Sequence, residues 1–215
     1  MNRALIRLLP MLLALALSAG GARAAAYDDF IQAVKNSKTG EVIALLKRGM
    51  DANSVDPTGQ PVLHVAAREG NLDVVQALVQ AGADIDKRNL LKETPVMLAA
   101  LAGHTKIVDF LVSREAQINQ PGWTPLLYAA SNGHTEIIKI LIENHAYIDS
   151  SSPNATTPLM MAARGGHLAT VTLLLEEGAD PTLKNENGDT AISWAEKGRQ
   201  TEIADLIRAR IKARK

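Results

Sequence analysis

The chain has 215 residues, with 23 basic and 23 acidic side chains and no cysteine. That length suits one domain or two small ones, and the even charge argues against nucleic-acid binding. The missing cysteines exclude disulfides, thiol catalysis and every cysteine-ligated metal centre, so stability must come from packing.

The first element predicted is an export signal over residues 1–24. Arg3 and Arg7 form a basic start, Leu8 to Leu17 a short apolar run, and Ala22 and Ala24 a small-residue cleavage site. The run is too short to cross a hydrocarbon core of about 30 Å, so it reads as a cleaved signal rather than an anchor. Its short length and Ala-rich site suggest the bacterial periplasm, and the absence of cysteine rules out lipid attachment. Cleavage after Ala24 removes three arginines and no acid. It leaves 20 basic against 23 acidic side chains, about −3, with no membrane attachment expected afterwards.

The rest of the chain repeats. "GQPVLHVAAREGNLDVVQALVQAGAD", "KETPVMLAALAGHTKIVDFLVSREAQ", "GWTPLLYAASNGHTEIIKILIENHAY" and "ATTPLMMAARGGHLATVTLLLEEGAD" align, and Gly70, Gly103, Gly133 and Gly166 lie 33, 30 and 33 residues apart. In three of the four a Thr-Pro opens a helix, at Thr94, Thr124 and Thr157: Thr caps free N–H groups, and Pro at the first helical position has no N–H to waste. Paired small residues such as Ala99-Ala100 let neighbouring helices approach. The Gly breaks the helix, and a second follows with apolar residues at helical spacing, as in Ile137, Ile138, Leu141 and Ile142. Helices this short are marginal alone, so each unit must lean on the next.

These motifs resemble the ankyrin repeat: T-P-L, A-A, G-H, an aliphatic run and G-A-D. The resemblance covers residues 27 to about 210, with unit boundaries near 27–55, 56–88, 89–121, 122–151, 152–184 and 185–215. It implies an all-α solenoid of stacked helix-turn-helix units with β-hairpin or loop fingers. Several positions depart from the pattern. Pro61 stands where Thr is expected, Lys92 and Ala155 replace the finger Gly, and Glu115 and His145 replace the closing Gly. The terminal units carry charges suited to water-facing caps, among them Asp28, Asp29 and Lys35 at one end and Glu196, Arg199 and Glu202 at the other.

Five histidines invite a metal reading, but His104, His134 and His167 occupy one position in successive units. Stacked helices stand about 8–10 Å apart, whereas zinc needs each nitrogen at about 2 Å. The resemblance makes these histidines structural hydrogen bonders at the inter-unit turn, and His64 is read likewise. No H-E-x-x-H, G-x-S-x-G, Walker-type or G-x-G-x-x-G motif occurs. No enzyme, metal or cofactor is therefore expected. Asn154 to Thr156 match a glycosylation acceptor that a bacterial host would leave unused, and the basic C-terminal segment complements a helix dipole.

Function then falls to exposed faces. The resemblance implies a protein partner held on the concave side by the fingers and the first-helix flanks. The residues selected there are Trp123, Leu90, Leu91, Leu101, Glu93, Ser131, Asn132, Arg164, Arg68 and Glu69. The finger between Asn119 and Gly122 is three residues short, which predicts a notch walled by Trp123. Trp123 beside three leucines would form an apolar contact patch, or else fold over the shortened loop. Tyr128 and Trp194 fall on inner first-helix positions and are assigned to the core. Exported relatives of this type imply two partners, a peroxide-detoxifying enzyme or a toxin to be neutralised. A hydrolytic enzyme hidden in the notch is the rival class.

Overall fold

The protein's structure, a computed structural model, describes residues 24–213; the expected signal, apart from Ala24, lies outside the described residues. Twelve helices in six antiparallel pairs make up this part of the chain. They are α1 (24–35) with α2 (Thr39–Lys47), α3 (Val62–Glu69) with α4 (Leu72–Gln80), and α5 (Pro95–Ala102) with α6 (Thr105–Ser113). Then come α7 (Pro125–Ser131) with α8 (Thr135–Glu143), α9 (Pro158–Gly165) with α10 (Leu168–Glu176), and α11 (Ala191–Lys197) with α12 (Thr201–Ala213). Among the described residues there is no strand, only an isolated antiparallel bridge between Val55 and Pro61 in one finger.

The pairs stack in register. First helices α3, α5, α7, α9 and α11 touch in sequence, as do second helices α2, α4, α6, α8, α10 and α12. Between the layers runs a column of side chains from equivalent positions: Leu78, Leu111, Leu141, Leu174 and Ile207, all fully buried. Burying each one contributes about 1.5–3 kcal/mol relative to exposure. The alanine pairs Ala66-Ala67, Ala99-Ala100, Ala129-Ala130 and Ala162-Ala163 are equally buried, which is what lets the first helices close on one another.

Threonine caps three of the five first helices from α3 onwards, while α3 begins after Pro61 with no side-chain cap. The hydroxyls of Thr124, Thr157 and Thr190 accept from the N–H groups of Leu127, Met160 and Ser193 at 3.2, 3.3 and 3.3 Å. Thr94 makes no such bond. Its N–H points instead to the Met97 sulfur at 3.3 Å, and its buried hydroxyl has no partner among the described residues.

Two polar ladders tie unit to unit. The Nε2–H groups of His104, His134 and His167 donate to the carbonyls of Arg68, Leu101 and Ser131 in the preceding unit, at 2.8, 3.2 and 3.0 Å. Asn71 does the same to Ser37 at 3.1 Å. On the other side of the stack, carboxyl or amide oxygens of Asn53, Asp86, Asn119 and Asp149 accept from the backbone N–H of Asp84, Gln117, Tyr147 and Asp180 in the following unit. The histidine ladder explains the glycines. A Cβ on Gly103 would sit 2.6 Å from the His134 imidazole, and one on Gly70 2.4 Å from that of His104. In the α11–α12 unit Arg199 occupies the matching left-handed position at φ 59°.

Where glycine is missing from fingers and closing turns, the backbone keeps its left-handed turn. Lys92 and Ala155 hold φ of 63° and 60°, and Glu115 and His145 hold 65° and 67°. The geometry is that of the glycine-bearing units, imposed by the stack on residues that resist it.

Candidate protein-binding face

Fingers and first-helix flanks form one continuous face. In four of the five fingers a single side chain holds the tip. Asp56 Oδ1 accepts from the N–H of Thr58 and Gln60, Asn89 Oδ1 from those of Leu91 and Glu93, and Asn185 Oδ1 from those of Asn187 and Asp189. The Ser152 hydroxyl accepts from the Thr156 N–H in the same way. Asp56 shows how strongly this holds. Burial would raise its carboxyl, yet bonds from Thr58 and Gln60 and the Lys35 ammonium at 2.9 Å keep it far below the usual carboxylate range.

The shortened finger is built differently. Gln120 turns inward and is buried, its amide directed at the Met97 sulfur at 3.5 Å and its carbonyl oxygen without a partner among the described residues. Trp123 stays 39% exposed and leans on Tyr128, with ring centroids 5.4 Å apart and planes 34° apart. Tyr128 packs against the core, as its inner position implied, but also reaches the face. It is half-buried, and its hydroxyl donates to Glu93 Oε1 at 2.8 Å on the neighbouring finger. Burial and this bond both push the phenol pKa well above its ordinary value. Asn89 Nδ2 donates to Glu93 Oε2, also at 2.8 Å. Glu93, Trp123 and Tyr128 thus form one cluster; Leu90 and Leu91 on the Glu93 finger are 85% and 78% exposed, with Leu90 lying towards Gly59 of the preceding finger.

Trp194 likewise packs against the core and reaches the face. It is half-buried, with the Arg164 guanidinium 5.2 Å above its ring. Asp189 pairs with Lys197 at 2.7 Å, and that ammonium lowers the Asp189 pKa. Together with Asn187 these residues line a cleft of about 300 Å³. Arg164 therefore sits in this second cluster, apart from Trp123. Arg68 and Glu69 pair with each other at 3.5 Å, two units away on the same helix flank. Leu101 is half-buried, Ser131 donates to the Tyr128 carbonyl, and Asn132 donates to the Leu101 carbonyl at 2.7 Å, so the last two are partly committed to the scaffold. The sequence did not reveal Tyr128 and Trp194 as part of this face, whereas Lys197 was read on a helix flank. The two rings share one register position, filled in α3 and α5 by the buried Val65 and Leu98, and the ring in place of an aliphatic side chain was the signal available.

Among the described residues no group of three or more His, Asp or Glu is placed to hold a metal, and no helix is long and apolar enough to cross a membrane. A stack of paired helices with one polar-aromatic face defines a repeat-type protein–protein interaction module. The chain belongs to the ankyrin-repeat family: the family model described as "Ankyrin repeats (3 copies)" matches residues 30–89, 83–152 and 147–214. Over 89 residues it is 37% identical to the Notch-regulated ankyrin repeat-containing protein of Xenopus laevis, covering 40% of this chain and 78% of that protein. The human protein of that name is 36% identical over the same shares. Human ankyrin repeat domain-containing protein 63 is 40% identical over 68 residues, 32% of this chain and 18% of its own length.

Proposed function

We propose that this chain is a non-catalytic scaffold or accessory protein of the bacterial periplasm, gripping one partner protein through Trp123, Leu90, Leu91, Leu101 and Glu93. The observation that carries the reading is the exposure of two leucines and a tryptophan on adjacent fingers, in a molecule that buries most of its large apolar side chains. Exposed apolar clusters rimmed by polar groups mark interfaces, and tryptophan is enriched among the residues that dominate their energetics. Export is supported by the basic, apolar, small-residue order of residues 1–24.

The test separates binding from folding. Trp123→Ala should sharply reduce capture of the partner from periplasmic extract while shifting thermal unfolding little, because the ring leans on Tyr128 and keeps much of its surface in solvent. A large loss of stability with capture intact would assign Trp123 to packing instead. Fractionation of the native host, probed for the chain with its first 24 residues removed, tests the location.

A further inference from the structure

We infer that Trp123, Tyr128 and Glu93 form a receptor for one arginine side chain of the partner protein. The inference rests on the binding-face reading above and specifies its chemistry. The molecule displays a filled counterpart two units further along. There Trp194 carries the Arg164 guanidinium 5.2 Å from its ring, and Asp189 holds Lys197 at 2.7 Å. Both cations come from the position two residues before the inter-helix turn. That position reads Arg68, Leu101, Ser131, Arg164 and Lys197 along the stack. It loses its charge only in the two middle units, where the face carries two aromatic rings in contact rather than one.

The acid there is left available. Glu93 joins none of the ion pairs among the described residues. Tyr128 and Asn89 each occupy one acceptor site on its two oxygens and fix their direction, and each oxygen retains a second acceptor site. A guanidinium suits this arrangement because its plane stacks on aromatic rings while its N–H fork meets a carboxylate, whereas an ammonium is a point charge without a stacking face.

The test uses the full mature chain labelled with nitrogen-15, with the two indole N–H signals assigned through Trp194→Phe. Capped pentapeptides with a central arginine, lysine, citrulline or leucine are titrated in. The arginine peptide should shift the Trp123 indole saturably and leave Trp194 in place. Lysine should bind at least about fivefold more weakly, and the uncharged pair should leave the signal unmoved. Glu93→Gln keeps an acceptor for Tyr128 but removes the charge, and should weaken arginine binding at least about tenfold. Leu101→Arg, which supplies an internal cation where Arg164 sits, should weaken it similarly with Glu93 intact; if that variant does not fold, Glu93→Gln carries the test. An unmoved Trp123 signal, equal binding of lysine or leucine, or an unaffected Glu93→Gln overturns the inference. Partner capture separates the two readings. Loss with Trp123→Ala but not Glu93→Gln keeps the binding face and removes the arginine site, and retention by both variants overturns the binding face itself.

Discussion

At the level of single residues, the glycines of this stack fall into two kinds that one substitution would tell apart. Gly178 has φ 101° and open space within 4 Å of where a Cβ would stand, so Gly178→Ala meets only the left-handed backbone penalty, about 1 kcal/mol. Gly103→Ala meets that penalty and also displaces the His134 imidazole from the Leu101 carbonyl, for roughly 2–4 kcal/mol in urea unfolding. The reverse holds where the chain tolerates strain: Ala155→Gly should raise stability by about 0.5–1 kcal/mol. His64 supplies a pH dependence. Burial lowers its pKa from 6.5, opposed by the Glu93 carbonyl that accepts its Nε2–H at 2.9 Å. The unfolded chain therefore takes up this proton first, and stability falls as pH drops below about 6.5 towards the folded-state value. His64→Gln should flatten that slope in denaturation midpoints measured between about pH 7 and pH 5.

At the level of helices, each element is held by neighbours rather than by itself. Leu141 on α8 is fully buried in the inter-layer column, so Leu141→Ala should cost about 2–5 kcal/mol by opening a cavity between stacked units. A mild loss in the same unfolding assay would mean that the column is not continuous there. The pairing of helices was legible in the sequence because Thr-Pro starts, alanine pairs and inter-helix glycines each have a local physical cause. The facing of α7 and α11 was not. A first helix of seven or eight residues buries most of its positions: in α5, every residue from Pro95 to Ala100 is buried. Hydrophobic periodicity then cannot separate the core from the half-exposed ring of Tyr128 or Trp194. The left-handed backbone at Lys92 and Glu115 could be read only through the repeat register, in which both stand at glycine positions, because those residues do not favour it themselves. Gln120 turning inward under the shortened finger depends on Met97, 23 positions earlier, and no local pattern announces it.

At the level of the molecule, stability is spread along a line of interfaces. Most ion pairs are exposed side chains, such as Lys38–Glu41 and Lys139–Glu136, and contribute little. Raising sodium chloride from about 0.1 to 1 M should therefore move the melting temperature by no more than about 2–3 °C, as differential scanning calorimetry would show. A steep salt dependence would point to the Lys35–Asp56 contact as a dominant clasp.

The histidine ladder also has a direction. The imidazoles of His104, His134 and His167 all reach backwards, so the carbonyls at Arg68, Leu101 and Ser131 gain their cross-unit partner only when the next pair of helices has arrived. A polypeptide made from its amino end first therefore locks each stretch one module behind the growing tip. In the α11–α12 pair, Arg199 stands where the earlier units carry glycine.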